Sequence, residues 1–324
     1  DSIYSGNGKI PEYLFFAYQM MFAIITPALI TGAFTNRVSF KAYLIFLVFW
    51  QVLVYYPFVH MVWGGGLLAQ WGVLDFAGGI VVHATAGFAA LASVFYVGKR
   101  RDKDSTPNSV PLVAIGTGLL WFGWYGFNAG SELAVDSITV QAFINTDVAA
   151  SFATITWLII EWINVRKPKF IGLLTGAVAG LATITPAAGF VPLWSAPLIG
   201  IAAGAVCYFA VTLKNKLGWD DALDVWGVHG VGGVLGTILL GVFASTAING
   251  MVPVDAQGLV FGGGSFFVKQ VVAVVAASAY AFIFTYIMLV IINFITPVKL
   301  SESIETSGLD ESLHGEKAYQ EGAL

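Results

Sequence analysis

What this 324-residue sequence has least of is charge. Asp, Glu, Lys and Arg supply 10% of it, against roughly 25% in an ordinary soluble domain. No extended basic patch is present, which argues against a nucleic-acid partner. Cysteine is nearly missing as well. The single thiol, Cys207, lies in an apolar stretch, so a disulfide framework and a CxxC metal or redox site are excluded. GxSxG and HExxH patterns do not occur, which removes the commonest hydrolase signatures. The alternating ten-residue segments of an outer-membrane barrel do not occur either.

What is there is hydrophobic residue, 57% of the chain, gathered into runs of about 20, the length that crosses ~30 Å of hydrocarbon. The fold class is all-α, a polytopic membrane helix bundle. Nine spans are predicted, near 13–34, 41–62, 77–97, 111–130, 140–163, 170–187, 197–214, 226–246 and 267–295, bounded by turn and charge signals. Pro27 and Pro57 should kink the first two, which neighbouring helices tolerate in a bundle. Of the 15 Lys and Arg, all but Lys9 and Lys269 fall in alternate loops (NRVSFK, GKRRDKD, VRKPK, LKNK, VKL) or in the tail. The positive-inside rule makes that side the cytoplasm, with the start of the chain outside and the C-terminus inside. The domain reading is a transmembrane unit over 1–296 and a cytoplasmic tail over 297–324. Acidic tails of this kind are usually solvated, but Leu309, Leu313 and Tyr319 give this one something to pack.

Two segments correspond. LDFAGGIVVHATAG and LDVWGVHGVGG each run Leu-Asp, helix start, Val-His, then glycine four residues after the histidine: His83 with Gly87, His229 with Gly233. Asp75 and Asp224 both suit a helix N-cap, and the glycines let helices approach closely. The first of these helices starts outside and the second inside. They lie five spans apart, and an odd-numbered repeat inverts its topology, as in many transporters, with the substrate path at the repeat interface. The halves are then about 1–97 and 111–246, with a final helix at about 267–295. The same count calls for five helices in the first half where three are found. With Asp1 in place of a methionine or a signal pattern, two spans are expected to be absent from the start.

A lone histidine in a membrane helix most often makes a helix–helix hydrogen bond. A matched pair in inverted halves points instead to a conduction path. A metal site has no third ligand at helical spacing, while His60 and His314 belong to a span end and the tail. Two buried imidazoles make a neutral, narrow, polar path. It suits a small molecule that both donates and accepts hydrogen bonds, and suits Na⁺ or K⁺ poorly. A cation could still be gathered at the mouth: Trp63 in HMVWGGG, and Trp124, Phe127 and Ser131 in GWYGFNAGS. A tryptophan face attracts a cation by about 0.5–2 kcal/mol, although an aromatic belt would also place a tryptophan there. Phe22 and Phe127 could plug the pore above the histidines or simply pack. An ion that sheds a proton avoids most of the penalty of entering an apolar tube. Ammonium can do so; potassium cannot.

These residues carry a resemblance. HMVWGGGLLA, LDFAGGIVVH, GWYGFNAGS, DVWGVHGVGG and the tail GLDESLHGEKAY together resemble the ammonium transporter (Amt/Mep/Rh) family over essentially the whole chain. The resemblance implies the ammonium transporter fold of eleven spans, nine of them here, and no enzyme activity, metal or cofactor. It implies that Trp63, Phe127 and Ser131 recruit ammonium externally, and that Phe22 and Phe127 are the gate. His83 and His229, with Trp124, would line the pore, while Asp75 supports deprotonation and Gln19 is a polar group near the gate. It implies a homotrimer with methylammonium as a substrate analogue. A PII-type signalling protein would bind the cytoplasmic face, to which Asp221, Asp224, Gly308, Asp310, His314 and Gly315 would belong. The tryptophan–serine pair favours the Amt branch over Rh proteins. Tyr18 stands where another aromatic is common. The function implied is NH4⁺ bound outside, deprotonated, and passed as NH3 while its proton moves separately. The alternatives are an Rh-like NH3 gas channel, an ammonium sensor signalling through the tail, and an intramembrane hydrolase built from Ser131, His83 and Asp75.

Overall fold

The computed structural model describes residues 10–101, 106–254 and 257–317. Lys9 and Tyr319, used in the charge and packing arguments above, lie outside the described residues. Within them the chain is a bundle of helices: α1 Glu12–Ala33, α2 Phe40–Gln70, α3 Gly79–Val97, α4 Val110–Glu132, α5 Ser137–Val165, α6 Phe170–Ile184, α7 Leu193–Leu217, α8 Trp226–Phe243 and α9 Gly264–Ile295. Eight are long and apolar enough to cross a membrane, and α6 is the exception at 15 residues, about 22 Å of rise. Pro186 follows it, and the chain over 185–192 is irregular but buried. Irregular backbone survives at such depth only when its polar groups find partners. Here Asn145 Nδ2 donates to the carbonyls of Ala188 and Val191 at 2.8 and 2.9 Å, and Ser245 N donates to that of Phe190 at 2.9 Å.

The ends of the helices follow local chemistry. Ser39 and Ser109 cap α2 and α4, and Asp136 makes a capping box with Thr139 at the start of α5. The prolines sit inside α1 and α2. Each removes the hydrogen bond to the carbonyl four residues back, and each freed carbonyl takes a side chain from a neighbour. Gln51 Nε2 donates to Ala23 O below Pro27, and Tyr280 Oη donates to Leu53 O below Pro57 at 2.9 Å. In α2 the turn before Pro57, Gln51–Tyr55, is also widened to a π-type turn.

The core of the bundle is α3 and α8. Nearly all of α3 is buried, as is the inner side of α8, while α4 and α5 turn Phe122, Leu119, Ile155 and Ile163 outward, a surface suited to lipid. One end of the bundle holds a polar layer. Buried Arg37 donates to the carbonyls of Ala33 and Asp220 at 2.6 and 2.8 Å and to that of Gly98. Arg100 forks onto the Asp220 carboxylate at 2.7 Å, and Lys214 pairs with Asp224 at 2.6 Å. The chain after α9 joins this layer. Ser39 N donates to Val298 O at 2.9 Å, and Arg101 reaches Glu302 at 2.8 Å on the short α10, Glu302–Ser307. Leu309 and Leu313 are half-buried there, and the His314 ring meets that of Phe40 at 5.3 Å.

Candidate functional site

The two histidine helices run in opposite directions. α3 starts beside Trp63 and ends at Gly98 in the Arg37 layer, whereas α8 starts in that layer, beyond Asp220 and Asp221. Each starts deep in the protein. Asp75 is 5% exposed, and its two carboxylate oxygens accept from the N–H groups of Gly78, Gly79, Ile80 and Val81 at 2.7–3.1 Å. Four N-terminal donors of α3 are thus satisfied by one side chain. At α8 the expected cap, Asp224, is not the one used. Asp224 adopts φ +57 and turns its carboxylate to Lys214, and Asp221 accepts from Trp226 N at 2.8 Å in its place. Burial pushes the Asp221 carboxyl up against the opposing effect of that N–H and of the Lys214 charge.

Both helices then open with a widened turn, Gly79–Ala84 and Trp226–Gly230, and each histidine sits in it. Such π-type turns often mark functional positions. Nδ1 of His83 and Nδ1 of His229 lie 3.2 Å apart, with ring centroids 5.2 Å apart and planes 26° from parallel. The glycines four residues on explain the close approach. Gly87 packs on Gly230, and Gly233 packs on the carbonyl of Gly79 and the Cβ of His83. Each histidine is therefore backed by the other helix's glycine.

Above His83 the aromatic rings form a column. Phe127 stacks over its imidazole at 5.9 Å and 21°, and Trp124 lies beside it at 5.5 Å. Phe22 covers Phe127 at 4.5 Å, and Trp63 meets Phe22 edge-on at 5.7 Å and 84°. The indole of Trp63 donates to the carbonyl of Asp75 at 2.8 Å, and that of Trp124 to Thr185 Oγ1 at 2.9 Å. Ser131 donates to the carbonyl of Phe127 at 2.8 Å, and its oxygen lies 3.1 Å from Tyr18 Oη. Trp63, Phe22, Phe127, Trp124, Ser131, His83, His229 and Asp75 are thus brought together in one region. Gln19 is half-buried on α1, one turn before Phe22. His60 is outside this column, and Asp221, Asp224, Gly308, Asp310, His314 and Gly315 lie in or beside the polar layer at the other end. Ser131, His83 and Asp75 do not form a relay: every Asp75 carboxylate bond goes to backbone, not to an imidazole. Thr185 was not legible as a site residue, and Tyr18 was legible only as an altered aromatic. No sequence signal separates Thr185 from the many membrane-helix threonines that bond their own backbone.

Comparison with known proteins identifies relatives over nearly the whole chain. The family model of the Ammonium Transporter Family matches residues 2–319. An ammonium transporter of Bacillus subtilis is 47% identical over 317 residues, 97% of this chain and 78% of that protein. The crystal structure of Candida albicans Mep2 superposes with a TM-score of 0.86 at 38% identity, covering 91% of this chain and 67% of that one. A structure described as a sensor Amt protein superposes with a TM-score of 0.82 at 30% identity, covering 92% and 76%.

Proposed function

Since the chain belongs to the Ammonium Transporter Family and is a multi-pass membrane protein that transports ammonium, we propose a route through the Trp63–His229 column. NH4⁺ is held first between Trp63, Phe127 and Ser131. The Ser131 proton is engaged by the Phe127 carbonyl, so its lone pairs are left to accept from N–H, and the indole face attracts the charge. Phe22 and Phe127, 4.5 Å apart, are the gate. The ion passes it only by losing a proton, because a bare charge among these rings is strongly disfavoured. NH3 then moves along His83 and His229, with Trp124 on the wall.

Chemistry sets what the imidazole pair offers. With two neutral rings and Nδ1 atoms 3.2 Å apart, one Nδ1 donates and the other accepts. The outer Nε2 atoms must then differ, one a donor and one an acceptor. A guest that both donates and accepts, as NH3 does, fits both; an alkali ion can meet the acceptor only and is repelled by the donor. Asp75 supports deprotonation through the order it imposes on the start of α3. The observation that carries this reading is the unbroken contact series Trp63–Phe22–Phe127–His83–His229.

Labelled methylammonium uptake tests it, comparing native protein with Trp63→Leu, Ser131→Ala and His83→Ala. Loss of Trp63 or Ser131 should raise the half-saturating concentration, and loss of His83 should lower the maximal rate. Unchanged saturation in the first two removes the recruitment site. Current accompanying uptake identifies electrogenic transport, and its absence an NH3 gas channel. The same reading treats 1–296 as the transport unit and 297–324 as a tail on the cytoplasmic face. That face, including Asp221, Asp224 and the 308–315 segment, would meet a PII-type protein, and the assembly would be a homotrimer. The bonds tying the tail to α2 and to Arg101 support a regulatory role for it; an ammonium-dependent signal that survives loss of uptake would add a sensor role.

A further inference from the structure

The carbonyl that receives the Trp63 indole belongs to a strap, residues 71–78, that links α2 to α3 without being helical. A free strap would leave that carbonyl, and hence the indole, poorly aimed. It is not free. Gly72 turns the chain with φ +89. Gln270, in the second turn of α9 and fully buried, donates from Nε2 to Leu74 O at 2.7 Å and accepts from Leu74 N at 3.0 Å through Oε1. Two residues on, Phe76 N donates to Pro186 O at 3.0 Å. Asp75 is therefore held on both sides, from α9 and from the chain after α6. A carboxamide is the side chain that can answer a peptide's N–H and C=O at once, and both of its polar groups are used on one residue.

We propose that Gln270 is a positioning residue for ammonium recruitment. It fixes the Leu74 peptide, which fixes the Asp75 carbonyl, which sets the plane of Trp63 against Phe22. It touches neither ammonium nor the pore. The inference rests on the recruitment role of Trp63 given above. A bond network that holds a ligand-facing ring governs affinity more than turnover, because the pore beyond Phe127 does not depend on it.

The test is methylammonium uptake by cells making the whole protein, with half-saturation and maximal rate normalised to folded protein. Gln270→Met keeps the side chain's length and removes both bonds. Gln270→Glu keeps the acceptor for Leu74 N but sets a carboxylate against Leu74 O. Thr285→Val is the control: it breaks an equally buried bond on α9, from Trp50 Nε1 at 3.0 Å. The expected result is a rise of about tenfold in half-saturation for both Gln270 variants, with maximal rate within about twofold. Thr285→Val should leave half-saturation unchanged, and Gln270→Met added to Trp63→Leu should raise it no further. Unchanged half-saturation in the Gln270 variants while Trp63→Leu raises it overturns the proposal and leaves the recruitment reading standing. Independent, multiplying effects of Gln270→Met and Trp63→Leu also overturn it. If Trp63→Leu itself changes nothing, the recruitment reading fails first. Should Gln270→Met not fold, Gln270→Glu carries the same comparison.

Discussion

Adding one methyl group at Gly233 should slow conduction roughly thirty-fold while leaving the fold largely intact. A methyl carbon there falls 2.6 Å from the carbonyl oxygen of Gly79 and 2.8 Å from the Cβ of His83. Ordinary contact begins near 3.4 Å, so α3 and α8 must part by about 0.6–0.8 Å, against atoms that are backbone or next to it. The histidine nitrogens, now 3.2 Å apart, would move to about 3.9 Å, outside hydrogen-bond range. The overpacking costs about 1–3 kcal/mol, partly offset by roughly 0.5–1 kcal/mol for replacing a mid-helix glycine by alanine. The lost bond, with a buried imidazole nitrogen left unpaired, is worth about 2 kcal/mol or more to the conduction path, roughly a thirty-fold lower rate. Gly232→Ala is the matched control. It is one residue away on the same helix, where the methyl would meet the Thr183 hydroxyl at 3.0 Å, a side-chain atom, and otherwise only ordinary contacts at 3.6 and 3.8 Å. Methylammonium uptake and detergent-phase melting measure both variants. If Gly233→Ala transports at the native rate, the bonded imidazole pair is not the path.

Three further outcomes follow from the same geometry. Asp75→Asn replaces an oxygen that accepts from two backbone N–H groups by an NH2 that cannot. Uptake should be abolished and stability lowered by several kcal/mol, on the order of 3, read as a fall in melting temperature. Tyr18→Phe removes the hydroxyl that donates to the carbonyls of Gly126 and Phe127 at 2.9 Å and neighbours Ser131. A net loss of about 1 kcal/mol should raise half-saturation roughly fivefold without changing the maximal rate. Burial by itself would raise the Asp220 carboxyl, but the bonds from Arg100 and the Arg37 charge outweigh it and hold the group below its ordinary value. A depressed value means the ion pair stabilises above the unfolded-chain value of about 3.9 and loses that effect as pH falls through the folded value. Melting curves of native protein and Asp220→Asn should diverge above about pH 4 and converge below it; parallel curves across the whole range would show the pair contributes nothing.

Much of the fold was legible because bilayer thickness leaves few ways to arrange apolar runs. All nine predicted spans have a helix within a few residues of them. The shortness of α6 was not legible, since the buried turns after Pro186 are as apolar as a helix. The histidine pairing could be read from two matching motifs, and their glycines turned out to be what lets the imidazoles meet. The widened turns that carry both histidines leave no mark in sequence, because π-type turns have no residue signature. Nor did local spacing distinguish Asp221 from Asp224 as the cap: the two lie three residues apart at the same helix end, and Lys214, ten residues before Asp224 in the last turn of α7, takes the Asp224 carboxylate and leaves Asp221 to cap. Gln270 was invisible for a simpler reason, its partner lying 196 residues away.

The carbonyls released by Pro27 and Pro57 couple pairs of positions that are distant along the chain. An alanine at 57 would return the Leu53 oxygen to its own helix and strand the Tyr280 hydroxyl in hydrocarbon; a phenylalanine at 280 would strand the oxygen. Each single change strands one group at about 1–3 kcal/mol, whereas making both leaves neither stranded, so the energetics of positions more than 200 residues apart are coupled through one bond.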